Sequence, residues 1–183
     1  MPCIYPKSDK PKVKPVKLIC GVLFNRNSIP EIAEDKLIAL LGPIDLKSPI
    51  FDFIFTDYYA SEMGNNLQKR FYSFEHLVMP NMLADIKNDT IKIEEEFLID
   101  GNRAVNLDPG YLEESKLVLA STKNFSHRIY LRDNIWAEVT MRYARGKWIT
   151  HDWTYPDYSQ ELGIEFLSKV RKIYKGQFED QDN

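Results

Sequence analysis

Cysteine is scarce. The 183-residue chain holds two, Cys3 and Cys20, which form neither a disulfide framework nor a CxxC pair. Long apolar runs are missing as well: none approaches the roughly 18 residues a membrane span needs. The first residues, MPCIYPKSDKPKVKP, have no apolar signal core, so the reading is a cytoplasmic protein. There is no basic excess. The 24 Lys and Arg stand against 27 Asp and Glu, a net charge of −3, which counts against a dedicated nucleic-acid binder. No GxxxxGK[ST], GxGxxG, HExxH or GxSxG occurs, so the usual nucleotide-binding, zinc-protease and hydrolase signatures are absent. Neither an internal repeat nor an interdomain linker is visible.

What is present suits one domain with a real core. Hydrophobic residues make up 44% and aromatics 13% of the chain, and aromatics carry large buried area. Residues 1–15 read as a flexible basic arm, with Lys7, Lys10, Lys12, Lys14 and, just beyond it, Lys17 open to solvent or to an anion. Residues 16–176 read as the domain and 177–183 as an acidic disordered tail. Val16 to Phe24 reads as a central buried strand. Ser28 to Glu31 fits a capping box opening a helix with Ile32, Ala33, Leu37, Leu40 and Leu41 inward, closed by Gly42-Pro43. Ile50 to Tyr59 reads as a strand, Ser61 to Phe71 as a short helix and Tyr72 to Val78 as a strand. Pro80 to Leu98 reads as the longest helix. Ala104 to Leu107 is a short strand entering an Asp108-Pro-Gly-Tyr111 turn. Leu112 to Ser121 favours helix by composition, with strand as the alternative. Phe125–Leu131 and Ile135–Tyr143 read as a hairpin with their odd-numbered residues facing the core. A three-residue loop, Arg132-Asp133-Asn134, then puts Arg128 opposite Glu138 and Tyr130 opposite Trp136. An aromatic loop, HDWTYPDY, precedes a final amphipathic helix from Gly163 to Tyr174.

Several residues in this frame could carry chemistry. Arg128, Glu138, Thr140 and Arg142, with Ser126 beside them, form a polar sheet face: an anion platform, or an ordinary cross-strand ion pair. His127 is a general base or metal ligand, or a core histidine bonded to backbone; His151 and His76 are weaker candidates. Asp108 is a carboxylate base or a ligand for a hard metal, or the cap of its own turn; Asp57 carries the same ambiguity. Ser121-Thr122-Lys123, with Lys116, offers hydroxyls and ammonium groups to phosphate oxygens. Trp148, Trp153, Tyr155 and Tyr158 stack on a base or sugar, or close the edge of a core.

FTDYY, EMG, SFE, NLDPGYL, KLVLASTK, HRIYL, AEVT and WTYPDY, in this order, resemble a prokaryotic family defined as domain of unknown function 4416, over roughly residues 16 to 176. Its motifs fall on Asp57, Tyr58, Tyr59, Glu62, Asp108, Tyr111, Lys116, Lys123, His127, Arg128, Glu138, Tyr155 and Asp157. Members are sometimes labelled GTP-binding; this chain has neither the P-loop nor the NKxD element behind such a label. The expected fold is α+β, a mainly antiparallel sheet of five to seven strands with helices packed on one face. A ferredoxin-like core with a C-terminal hairpin is one version. The expected function is binding, and hydrolysis or transfer, of a phosphate-bearing ligand such as a nucleotide. In that scheme Asp108, Glu138 and His127 are catalytic. Lys116, Lys123, Arg128, Tyr58, Tyr111 and Tyr155 hold the ligand, and Asp57 and Asp108 hold a metal such as Mg²⁺. The alternative is a non-enzymatic interaction or homodimerisation module using a Trp/Tyr surface.

Overall fold

The computed structural model describes residues 13–25 and 30–179. Lys7, Lys10, Lys12, Cys3 and the Ser28 cap lie outside them, and Lys17 is not open to an anion: it is fully buried and paired with Asp45. In chain order the elements are β1 (Val16–Asn25), α1 (Pro30–Leu41), β2 (Ile44–Lys47), β3 (Phe51–Asp52), α2 (Ala60–Met63) and β4 (Leu67–Val78). After a 3₁₀ turn at Pro80–Met82 come α3 (Leu83–Glu96), β5 (Leu98–Ile99), β6 (Asn102–Arg103), β7 (Val105–Leu112) and β8 (Lys116–Ser121). The chain finishes with β9 (Ile129–Arg132), β10 (Ile135–Ala144), β11 (Lys147–Thr150), α4 (Pro156–Ser159) and α5 (Glu161–Glu179).

The fold is α+β, built on an open antiparallel sheet ordered β11-β10-β8-β7-β1-β4-β2, with β3 also on β4 and β9 also on β10. Its nine strands exceed the five to seven expected. The segment β7-β1-β4-β2, with α1 and α3 between its strands in sequence, has the βαββαβ order of a ferredoxin-like core, and β8 to β11 extend its sheet. Helices cover both faces rather than one. Leu18, Cys20, Val22 and Phe24 of β1 pack with Ala33, Leu37 and Leu41 of α1 and Ile86 and Ile93 of α3. Ile19, on the opposite face, joins Phe71, Leu117, Leu119, Met141 and Trp148 beneath Phe166, Leu167, Val170 and Tyr174 of α5. β1 reads as a continuous apolar run because both its faces are buried.

Other expectations need correcting. Only Phe51–Asp52 of the Ile50–Tyr59 segment joins the sheet. The Ser61–Phe71 helix shrinks to α2, and the twelve-residue β4 takes over from Leu67. The longest described helix is α5, which runs to Glu179 and so past the expected tail boundary; 180–183 lie outside the described residues. Lys116–Ser121 is strand, not helix. The Asp108-Pro-Gly stretch is not a turn. Asp108 faces Gly21 and Pro109 faces Cys20 within the β1–β7 ladder. Proline is tolerated there because β8 pairs with β7 only from Gly110 onward.

The β9–β10 hairpin turns in two residues, Asp133 and Asn134, at φ of 51° and 59°, as a tight hairpin prefers. Leu131 is then bulged, since Arg132 faces Ile135 while Tyr130 faces Trp136. The Tyr130–Trp136 pairing holds; the three-residue loop does not. A second bulge at Thr140 shifts the phase of β10 against β8. Glu138 therefore shares the α5-covered face with Met141, and Val139 turns outward. The polar face is open only in part: Glu138 and Thr140 are buried, while Ser126 and Arg142 are exposed. On β9 the predicted core residue Ile129 is 71% exposed.

Candidate functional site

Beyond their short shared ladder, Gly110–Leu112 against Leu117–Leu119, β7 and β8 part. A cleft opens in the sheet at this split. Its polar lobe, about 450 Å³, is lined by Lys87, Glu94, Arg103, Asn106, Ser121 and Thr122 among others. Its aromatic lobe, about 380 Å³, is lined by Phe53, Phe55, Lys69, Asp157 and Tyr158. Tyr58, Tyr59, Asp108, Ala120, Lys123, Arg128 and Tyr155 line both. These volumes suit a small organic ligand.

Arg128 is the keystone of the β9 side. Its Nε donates to Glu138 Oε2 at 2.8 Å and Nη1 to Ser121 Oγ at 2.7 Å. Nη1 also donates to the Lys123 carbonyl at 2.9 Å and Nη2 to the Tyr155 hydroxyl at 2.9 Å. A guanidinium has five N–H groups, so one remains for a ligand. Glu138 also accepts from Thr140 Oγ1 at 3.2 Å and meets His127 Nε2 at 3.1 Å. His127 is neither a core histidine nor part of the cleft lining. Its ring stacks on Trp153 at 4.7 Å, and His151 stacks on Trp153 at the same distance. Burial, then the Glu138 charge, pushes the Tyr155 phenol up to about 12, so it stays protonated at neutral pH.

The polar lobe is largely neutralised from within. Arg103 donates to both Glu62 oxygens at 2.7 Å, to Glu94 at 3.2 Å and to Asn106 Oδ1 at 2.9 Å. Lys87 Nζ donates to the Leu107 carbonyl at 2.6 Å, with Glu94 at 3.5 Å. In the aromatic lobe, Lys69 lies 2.7 Å from Asp157 and 3.7 Å from Asp108, near the rings of Phe53, Phe71 and Tyr158. Burial opposes its charge, but Asp157 and Asp108 outweigh that and hold its pKa above the ordinary lysine value. Lys123 differs. It rests on the Tyr58 hydroxyl and ring, with no carboxylate partner among the described residues.

Of the sequence candidates, Asp108, Lys123, Arg128, Tyr58 and Tyr155 meet at the cleft, with Glu138 behind Arg128. Of the residues expected to be catalytic, ligand-binding or metal-holding, His127, Lys116, Tyr111 and Asp57 do not line it. Lys116 starts β8 at the far end from Ser121 and pairs with Glu113 at 3.0 Å. Tyr111 packs into the core against α1 and α3. Asp57 is exposed outside the lining, so it forms no joint metal site with Asp108 there. Among the described residues no three His, Cys, Asp or Glu side chains gather as a metal centre. Trp148 is buried under α5 and does not extend the Trp153–Tyr155 surface. Residue reasoning missed Lys69, Arg103 and Asn106. Gly21, inside the apolar run of β1, was the available signal for Lys69: a Cβ there would lie 2.8 Å from Lys69 Cε.

Fold and site define a class: an α+β protein with a ferredoxin-like strand order, an extended antiparallel sheet and a cleft where β7 and β8 part. Residues 14–174 match the family Domain of unknown function (DUF4416), and the chain belongs to it. No curated protein and no solved structure matches the chain. No described helix is long and apolar enough to cross a membrane.

Proposed function

We propose that the cleft binds a small phosphate-bearing molecule, with the phosphate where the two lobes join. One observation carries the reading: Lys123 is a cleft cation resting on a phenol rather than on a carboxylate. A phosphate beside it takes the ammonium charge, the remaining Arg128 N–H and the Thr122 hydroxyl. Arg103, Lys87 and Lys69 already face carboxylates, so they hold the walls. Asp108, partly exposed on the shared lining, is the carboxylate placed to accept a proton from a bound hydroxyl or water.

The test is thermal unfolding with inorganic phosphate, sugar phosphates and nucleotides, each with and without Mg²⁺. A ligand at 100 times its Kd stabilises by about 2.7 kcal/mol. The expected result is a shift with at least one phosphate compound that disappears in Lys123→Ala. No shift with any of them, or an equal shift in Lys123→Ala, sinks the reading.

A further inference from the structure

Both lobes contain a buried donor without an acceptor. Tyr158 is 1% exposed and its hydroxyl has no partner among the described residues; Asn106 is 4% exposed and its Nδ2 likewise has none. An unmade hydrogen bond on a buried group is costly, and each residue lines the cleft. The Tyr158 end is the more constrained. A Cβ on Gly21 would lie 3.1 Å from the Tyr158 hydroxyl and 3.3 Å from Lys69 Nζ. The phenol and the ammonium therefore gather over this one glycine. Burial, then Asp157 and Asp108, pushes the Tyr158 pKa well above its ordinary value, so the group stays an O–H donor.

We infer that the aromatic lobe is a subsite for a flat heteroaromatic ring carrying a neutral hydrogen-bond acceptor on its edge, received by the Tyr158 hydroxyl. This deepens the phosphate reading and rests on it for the position of the rest of the ligand. The walls supply the ring's contacts: Phe53, Phe55, Tyr59 and Tyr155 present aromatic surface around the lobe. The charge excludes a second anion. Lys69 is outnumbered by Asp157 and Asp108, so the floor is net negative and a ring carbonyl or ring nitrogen fits where a carboxylate does not. A plain sugar phosphate would fill the junction and leave this lobe and its donor unmet.

The experiment compares three probe sets on the full chain by thermal shift and calorimetric titration: the purine and pyrimidine nucleoside monophosphates, the corresponding nucleosides, and ribose 5-phosphate. At least one monophosphate is expected to bind about tenfold or more tighter than ribose 5-phosphate. Tyr158→Phe should erase about tenfold of that advantage, the worth of one hydrogen bond, and leave ribose 5-phosphate unchanged. The empty Tyr158→Phe protein should be as stable as the parent or more so, because the hydroxyl it loses has no partner. Three results would overturn the inference: equal affinity for monophosphate and sugar phosphate, an unchanged advantage in Tyr158→Phe, or a Tyr158→Phe protein that is destabilised when empty. Nucleoside binding without any response to phosphate compounds would retire the phosphate reading and keep the ring subsite. Silence from all three sets would remove both.

Discussion

Arg128 shows how a side chain can be found by sequence while most of its partners stay out of sight. Its place opposite Glu138 followed from hairpin register, yet the guanidinium is committed to four acceptors on Glu138, Ser121, Lys123 and Tyr155. It fixes the cleft wall more than it clamps a ligand. Removing one partner of a buried pair strands the other. Arg128→Met should therefore cost about 3 kcal/mol in urea unfolding, because Glu138 keeps only His127 and Thr140. Adding Glu138→Gln should recover part of the loss. A single-variant cost below about 1 kcal/mol would mean the network is not holding the wall. Of the three residues that stayed hidden, Lys69 and Asn106 are the buried ones. Both are polar groups in segments that end up buried, and burial of a lysine beside two aspartates depends on β7 pairing on the other side of β1 from β4 and on α4 bringing Asp157 to Lys69, which no local pattern announces.

Among the elements, legibility followed how far local pattern decided the outcome. β1, α3 and α5 declared themselves, because an unbroken apolar run or a 3.6-residue stripe reports burial directly; α1 did so in part, since Ala33, Leu37 and Leu41 are buried but Ile32 and Leu40 of its expected inward stripe are exposed. β7 did not, since Asp-Pro-Gly is a turn signal by itself and only the absence of a β8 partner at Pro109 makes it strand. β10 was legible until Thr140, where one extra residue exchanged its faces. α2 is the element whose stability is borrowed. Four residues cannot hold a helix alone, and Glu62 docks it through both oxygens on Arg103. Those hydrogen bonds from Arg103 hold Glu62 below its ordinary value of 4.5. A carboxylate with a lowered folded pKa contributes stability that is present above the unfolded pKa and lost as pH falls through the folded one. Acidification below about 4.5 should thus loosen α2 and the Tyr58–Tyr59 rim before the sheet. In hydrogen exchange, the amides of Met63 and Gly64, bonded to the Tyr59 and Ala60 carbonyls, should speed up on acidification relative to β1, beyond the intrinsic pH effect. Glu62→Gln should show the faster exchange already at pH 7 and respond little to acid. Equal protection in both proteins at pH 7 would leave the fork without a role.

The whole molecule is a sheet with two apolar layers that share one strand. β1 sends Cys20 and Val22 into the α1–α3 layer and Ile19 into the α5 layer. The far end of α5 closes back on the same strand: Tyr174 donates to the Pro15 carbonyl at 2.9 Å and Lys17 to Gln177 at 3.0 Å. Neither layer can be exposed without disturbing β1, so the two should unfold together although they lie on opposite faces. Cys20 is a built-in probe of this coupling. It is fully buried, and burial drives its thiol pKa far up, so it reacts only when β1 is exposed. In a Cys3→Ser background, Cys20 should react with a thiol reagent at least about a thousandfold more slowly than an unfolded thiol, as expected if exposure requires global opening at ordinary domain stability. In a urea series, labelling and far-ultraviolet circular dichroism should share one midpoint. Labelling at lower urea would mean that α1 and α3 detach while α5 still holds the sheet, and the chain would then be two cooperative units joined through β1.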